Sequence, residues 1–294
     1  MLHLEEVNTV LVIGGGVMGP GIALSYARGG YMVRLSDISE TALETAKKTI
    51  GSQLETMAEV GEIEASEIEP VFGRVSYTTD KKAAAEGVQY VVEAIIEQEE
   101  AKRALYAQLD AFLPEETIIA SNTSFFNIFE LMPDRRKPYS VITHWFDPPH
   151  IIPLVEVVKG PETKENVMAI TVRMLERSKK IAPRMEKYTP GFFVNFAQKA
   201  LTDVADSLVK EGYCTPEQFD LAIKSSIYPR GVVLGVFQKA DFGSNPTVEG
   251  VYGVRAGKGF FDYAERDIDE LFKERDRRLF EAMKFAMKNI NDKL

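Results

Sequence analysis

Short, wholly apolar runs alternate with stretches in which apolar residues recur at helical spacing over the first part of the chain. Val10-Leu-Val-Ile13 is apolar throughout and rich in β-branched residues, as a strand buried on both faces reads. Ile22, Ala23, Leu24 and Tyr26 then follow at helical spacing up to a Gly29-Gly30 stop. The same reading predicts strands over Tyr31–Ser36, Val75–Thr78, Gln89–Ile96, Thr117–Asn122, Tyr139–His144 and Ile152–Val158. It predicts helices from a Ser39 cap through about Ala58, over Glu99–Phe112 up to the break at Pro114, and over Thr163–Arg177. Strands alternating with helices imply an α/β fold with an open, mostly parallel sheet. The pattern changes after Thr189-Pro-Gly191. Phe192–Lys210 is an amphipathic helix stopping at Gly212, and Thr215-Pro-Glu-Gln218 is a capping box with proline at the first helical position. A charged helix runs from Asp267 to about Asn291. The expected organisation is an α/β domain over residues 1–188 and a smaller all-helical domain over 189–294.

Between the first strand and the first helix lies Gly14-x-Gly16-x-x-Gly19. In that context the first glycine makes a tight turn, the second lets backbone approach a pyrophosphate, and the third lets helix pack on strand. Free N–H groups at the helix N-terminus favour the phosphate charge, and Pro20 is tolerated in a first helical turn. About twenty residues on, the second strand ends at Asp37, where an acid accepts hydrogen bonds from ribose hydroxyls. Ser36–Thr41 holds no Arg or Lys to pair with a 2′-phosphate. The fingerprint and the acid together predict a Rossmann-type, doubly wound domain binding NAD rather than NADP.

Composition narrows the partners. The chain has 294 residues, 45% hydrophobic and 27% charged, with no apolar stretch as long as the roughly eighteen residues of a membrane span. The opening MLHLEEVNTV has no signal-peptide layout. A single cysteine, Cys214, excludes an intramolecular disulfide framework and a Cys-cluster metal site. A formal net charge of −9 argues against nucleic acid and anionic membrane as partners. A cytoplasmic protein acting on a small molecule, with no metal, is expected.

Ligands of such sheets bind at the carboxyl ends of the strands. Ser121-Asn-Thr-Ser124, His144-Trp-Phe-Asp-Pro-Pro-His150 and Leu154-Val-Glu156 put polar residues there. Of three histidines, His144 alone sits where a strand meets its loop. Oxidising an alcohol requires removal of its hydroxyl proton, and imidazole has the pKa for that near neutrality. A carboxylate such as Glu156 would fix the tautomer and stabilise the imidazolium. Read singly, a residue like His144 is more often a packed strand-end ring and one like Glu156 more often a solvated strand residue. His150 is the other local candidate, and His3 lies near the chain start.

The set SNTS, HWFDPP, LVEVV, TPGFFVN and GKGFFDY, in that order behind GxGxxG, resembles the L-3-hydroxyacyl-CoA dehydrogenase family over nearly the whole chain. The family's His–Glu pair is twelve positions apart, as His144 and Glu156 are. The resemblance implies His144 as the base that takes the 3-hydroxyl proton. It also implies Ser124 and Asn195 as groups holding the substrate oxygen and the histidine in line, and Glu97 and Lys102 as cofactor contacts. A homodimer formed by the helical domain is implied too. Two features depart from the pattern. Thr49–Gly73, where the family carries lysines facing the nucleotide of CoA, has no Lys or Arg but holds Glu55, Glu59, Glu62, Glu64, Glu67 and Glu69. The segment GVVLGVFQKADFGSN, residues 231–245, replaces a glycine–proline-rich motif with a following long helix. HWFDPP followed by IIPLVE also resembles relatives acting on small non-CoA substrates, such as L-gulonate dehydrogenase. A non-catalytic NAD-binding protein is the reading from another class, and the joint presence of Ser124, His144, Glu156 and Asn195 opposes it.

Overall fold

Alternate residues of the first strand feed two different cores, and this organises the larger part of the molecule. In a computed structural model describing residues 3–243 and 253–289, strand β1 (Thr9–Ile13) sends Val10 and Val12 to one side of the sheet and Leu11 and Ile13 to the other. A strand covered on both faces needs apolar residues at every position. The eight-stranded sheet runs in the order β3-β2-β1-β4-β5-β6-β7-β8. Its members are β2 (Met32–Ser36), β3 (Val75–Thr78), β4 (Tyr90–Glu93), β5 (Ile118–Ser121), β6 (Ser140–Trp145), β7 (Val155–Val158) and β8 (Arg184–Met185). Strands β1 to β6 pair in parallel, and the order reverses between β1 and β4. Strand β7 pairs antiparallel with β6, and β8 parallel with β7.

The helices of this unit are α1 (Gly19–Arg28), α2 (Glu40–Glu59), α3 (Ile68–Phe72), α4 (Lys81–Ala84), α5 (Glu99–Phe112) and α6 (Glu165–Arg177). Ser39 caps α2 by accepting from the Ala42 N–H. Residues of α1, α2 and α6 build one core with one face of the sheet, and residues of α5 pack on the opposite face.

Of the boundaries that differ from the sequence expectation, three have a visible cause. The fourth strand stops at Glu93 rather than Ile96, because the Glu93 carboxylate turns back to accept from the Ile95 N–H at 3.0 Å. Strand β7 starts at Val155 rather than Ile152, because the preceding loop is tied down by Lys180, whose Nζ donates to the carbonyls of Pro149 and Ile152. Helix α7 (Val194–Lys210) starts after Phe192, which sits at φ +53° in the left-handed region. The two-residue β8 carries no sequence signal of its own; its pairing with β7 creates it.

The chain packs as two compact units, Met1–Ala197 and Gln198–Leu294. The packing boundary falls inside α7, beyond the change of sequence pattern near residue 188, because backbone N–H groups at the start of α7 bond to β7. The second unit contains the rest of α7, then α8 (Pro216–Ala222), a π-helical turn at Ile223–Ile227, α9 (Tyr228–Val233), α10 (Val236–Asp241) and α11 (Ile268–Asn289). The Thr215 hydroxyl accepts from the Gln218 N–H while the Gln218 amide oxygen accepts from the Thr215 N–H, completing the capping box. Within this unit the buried Asp241 carboxylate accepts from the N–H groups of Phe260 and Phe261 at 2.8 and 3.0 Å and from the Tyr263 hydroxyl at 3.0 Å. The GKGFFDY motif is thus a loop wrapped around one carboxylate, and a Cβ at Gly259 would overlap it. Ser244 and Asn245 of the divergent segment, and the end of the charged helix beyond Asn289, lie outside the described residues. Among the described residues no helix is long and apolar enough to cross a membrane.

Candidate active site

The fingerprint loop leaves β1 at Gly14, whose N–H donates to the Ser36 carbonyl and whose φ is +115°. A Cβ there would overlap the Ala94 carbonyl, and one at Gly19 would overlap the Gly14 carbonyl, so only glycine permits this strand-to-helix turn. Gly16 differs: nothing lies within 4 Å of where its Cβ would be, so its backbone faces open space beside the start of α1. Asp37 closes the other side. Its Oδ2 accepts from the Gly15 N–H at 2.7 Å and its Oδ1 from the Ser39 N–H at 2.9 Å, leaving lone pairs on both oxygens. A cleft of about 450 Å³ lies between, lined by Gly14, Gly16, Asp37, Ile95, Leu105 and Gln108 among others. An open glycine face, a helix N-terminus and a fixed carboxylate fit a dinucleotide's pyrophosphate and ribose. Lys81 lines the same cleft and donates to the Gln108 amide oxygen at 2.9 Å; burial lowers its pKa. Reading only the residues around Asp37 misses this cation, because β3 and α4 bring it there from a distant stretch.

His144 and Glu156 face each other because the antiparallel register of β6 and β7 pairs them directly. The His144 Nδ1 lies 2.8 Å from the Glu156 Oε2, and both side chains are buried, at 5% and 0% exposure. Glu156 is therefore no solvated strand residue. Its other oxygen, Oε1, accepts from the Phe193 and Val194 N–H groups at 2.8 and 3.0 Å, at the N-terminus of α7. An ionised carboxylate only accepts, so facing it a neutral His144 carries its proton on Nδ1 and its lone pair on Nε2. Phe146 and Phe192 enclose the ring, with centroids 4.6 and 5.0 Å away. Asn195 follows Val194 in the first turn of α7, one residue beyond the N–H groups that Glu156 fixes. His150 has no such partner: its buried Nδ1 has no hydrogen bond. Burial first, and then the Lys180 charge, pushes its imidazole below the ordinary range.

A second carboxylate organises the ends of β4 and β5. Glu93 is 0% exposed and accepts four hydrogen bonds. The donors to Oε1 are the Ile95 N–H at 3.0 Å and the Lys102 ammonium at 2.7 Å; those to Oε2 are the hydroxyls of Tyr106 at 2.7 Å and Ser121 at 2.6 Å. Lys102 also lies 3.0 Å from the Glu97 Oε2. The Glu97 Oε1 accepts from the Thr123 hydroxyl and, at 2.9 Å, from the Ser124 N–H. The structure thus joins Glu97, Lys102 and Ser124 in one network, but it places Lys102 beneath the surface with its side chain 1% exposed, whereas Glu97 is 26% exposed. Glu93 is the residue missed from sequence. Its signal was an acid inside the apolar run YVVEAII. Beside it, the Asn122 amide oxygen accepts from the Trp145 N–H at 2.9 Å, tying the end of β5 to that of β6.

Residues 9–188 match the family model described as 3-hydroxyacyl-CoA dehydrogenase, NAD binding domain. The chain belongs to the 3-hydroxyacyl-CoA dehydrogenase family. Among curated relatives, the 5-formyl-3-hydroxy-2-methylpyridine 4-carboxylate 5-dehydrogenase of Mesorhizobium japonicum is 31% identical, over 93% of this chain and 96% of its own. A probable 3-hydroxybutyryl-CoA dehydrogenase of Bacillus subtilis is 30% identical, over 89% and 99%. Among solved structures, a crystal structure of 5-formyl-3-hydroxy-2-methylpyridine 4-carboxylic acid 5-dehydrogenase, an NAD+-dependent dismutase, superposes with a TM-score of 0.73 at 26% identity, over 96% of this chain and 99% of that one. This member of the 3-hydroxyacyl-CoA dehydrogenase family is an NAD-dependent oxidoreductase.

One surface sets this 3-hydroxyacyl-CoA dehydrogenase family member apart from the pattern read in sequence. Glu55, Glu59, Glu62, Glu64, Glu67 and Glu69, on α2 and the turns leading through α3, are all exposed. This stretch presents carboxylates to solvent, and the exposed Lys47 and Lys48 precede it on α2.

Proposed function

We propose that the protein catalyses the reversible oxidation of a secondary 3-hydroxyl to a 3-keto group, with His144 as general base. The observation that carries this reading is the buried His144–Glu156 pair, with Nδ1 and Oε2 at 2.8 Å. Bound NAD supplies the hydride acceptor. The chain supplies the rest. The Nε2 lone pair receives the hydroxyl proton, and Glu156 stabilises the imidazolium that results. Phe146 and Phe192 keep water from the ring, which strengthens the charge–charge interaction between the pair. Ser124, held through its N–H by Glu97, and Asn195, in the first turn of α7, are assigned to the substrate oxygen and to aligning the histidine. Gly14, Gly16, Gly19 and Asp37 are assigned to the pyrophosphate and the adenosine ribose, with Glu97 at the far half of the cofactor and the buried Lys102 acting through it. Residues 1–188 are assigned to cofactor binding, and 189–294 to substrate and to a homodimer contact. Support for a homodimer is the exposure of the large apolar residues Phe280, Phe285 and Met287 on α11. Sedimentation equilibrium reads it, and a monomer at micromolar concentration overturns it. A cytoplasmic location rests on composition.

Asp37 sets cofactor choice in this reading, because its carboxylate repels a 2′-phosphate. The wild type is expected to use NAD far better than NADP, and Asp37→Ser with Ile38→Arg to narrow the gap. Steady-state kinetics with both cofactors checks this; equal use of both by the wild type sinks the assignment.

The exposed glutamates favour a second reading of the substrate, a small hydroxy acid without CoA. CoA is polyanionic, and each like-charge contact costs roughly 1 kcal/mol in water. Remote contacts that a nucleotide does not make cannot be lost when it is removed. An acetoacetyl thioester of pantetheine is therefore expected to show kcat/KM within about tenfold of the CoA ester, tenfold being roughly 1.4 kcal/mol. Added salt should alter that ratio little. A thousandfold loss on truncation, shrinking as salt rises, would mean that other basic residues grip the nucleotide. Lys179 and Arg184 would be the first to test, since Lys180 is buried against the loop it holds.

A further inference from the structure

Glu93, Lys102 and Glu97 form a set of two carboxylates and one ammonium at the carboxyl ends of β4 and β5. In a doubly wound sheet the dinucleotide spans the point where strand order reverses, here between β1 and β4. Asp37, at the end of β2, stands on the ribose half. The ends of β4 and β5 therefore belong to the nicotinamide half. The position of Lys102 decides what that half presents. The ammonium is buried, 2.7 Å from one carboxylate and 3.0 Å from the other, so a single positive charge is shared between two negative ones.

We propose that Glu93 is a positioning residue that occupies Lys102 and so leaves a net negative charge on Glu97, biasing the nicotinamide half of the site toward the oxidised, cationic ring. Two donors to Glu93, the Ile95 N–H and the Lys102 ammonium, can only donate, and they meet the same oxygen, Oε1. Tyr106 and Ser121 saturate Oε2. Burial, and then the Glu93 charge, pushes the Tyr106 phenol well above its ordinary value, so this hydroxyl stays a donor. Glu93 is thus tied on both oxygens and compensates Lys102 from below. Glu97 is the partly exposed member, so its remaining charge reaches the surface at the strand ends while its Oε1 holds the Thr123 hydroxyl and the Ser124 N–H. The oxidised nicotinamide carries one positive charge and the reduced ring none, so one uncompensated carboxylate discriminates between them. Removing the charge of Glu93 lets Lys102 pair wholly with Glu97, and the half-site becomes neutral.

The inference rests on the dehydrogenase reading but not on the base assigned to it, and equilibrium binding separates the two. Titration of NAD+ and NADH into wild-type protein and Glu93→Gln gives the ratio of the two Kd values without turnover. The ratio Kd(NAD+)/Kd(NADH) is expected to rise roughly five- to tenfold in Glu93→Gln, the scale of one partly screened charge interaction. Glu97→Gln removes the same charge from a partly exposed position and is expected to shift the ratio alike. Tyr106→Phe, which removes a donor but no charge, should leave the ratio in place, and so should His144→Gln. A folded Glu93→Gln protein with an unchanged ratio, or one that weakens both cofactors equally, overturns the proposal. If Glu93→Gln does not fold, Glu97→Gln decides, and an unchanged ratio there overturns it too.

Discussion

Replacing His144 with glutamine is expected to lower kcat at least about a hundredfold, the usual worth of a positioned general base. The imidazole of His144 is the one whose Nδ1 is fixed by a buried carboxylate, at 2.8 Å, leaving Nε2 free to accept. Glutamine approximates the reach of that ring but cannot take a proton near neutral pH. The cleft lined by Gly14, Gly16 and Asp37, which are assigned to the pyrophosphate and the adenosine ribose, does not include His144. NADH affinity, read by fluorescence titration, should therefore stay within about twofold. A fully active variant removes His144 from the mechanism, and His150 would be tested next.

Glu156→Gln is expected to cost between about a hundredfold and ten-thousandfold in kcat, as severe as loss of the histidine itself. From sequence alone it ranks as the milder change, since it disturbs the histidine without deleting it. The second set of contacts reverses that ranking. The Glu156 Oε1 accepts from the Phe193 and Val194 N–H groups while Oε2 accepts from His144, so both oxygens face donors. An amide has one oxygen. If that oxygen stays with the α7 N–H groups, the NH₂ turns to Nδ1, which must then accept; the proton moves to Nε2 and the base is lost. A wrong tautomer of this kind drops turnover about ten-thousandfold in a serine-protease triad. If the amide turns the other way, its NH₂ meets two backbone donors and the start of α7, with Asn195 on it, is released. Turnover with a thermal melt checks both routes; activity within about threefold of wild type would falsify the dual role of Glu156.

The features legible in the sequence are those decided within a few residues. β1 reads from four consecutive apolar residues because a strand covered on both faces needs them at every position. Ser39 and the Thr215–Gln218 box read as caps because a side chain there reaches only its own helix's first turn. Gly14-x-Gly16-x-x-Gly19 reads as a dinucleotide turn because the overlaps that demand glycine arise within the strand–turn–helix unit and against the neighbouring strand. The residues offered Glu156 only as a candidate partner for His144, and family likeness singled it out, since nothing local says that β7 runs antiparallel to β6.

What the sequence determined by itself, then, was the order of strands and helices, the glycine turn and the carboxylate at the end of β2, because periodicity, capping and backbone sterics act over short range. The tertiary structure alone decided the register that sets Glu156 opposite His144, the burial of Lys102 between Glu93 and Glu97, the arrival of Lys81 in the cofactor cleft and the true start of α7. Each of these depends on strands or helices distant in the chain. A charged residue becomes a buried partner only when non-local pairing removes water from it and supplies the opposite charge.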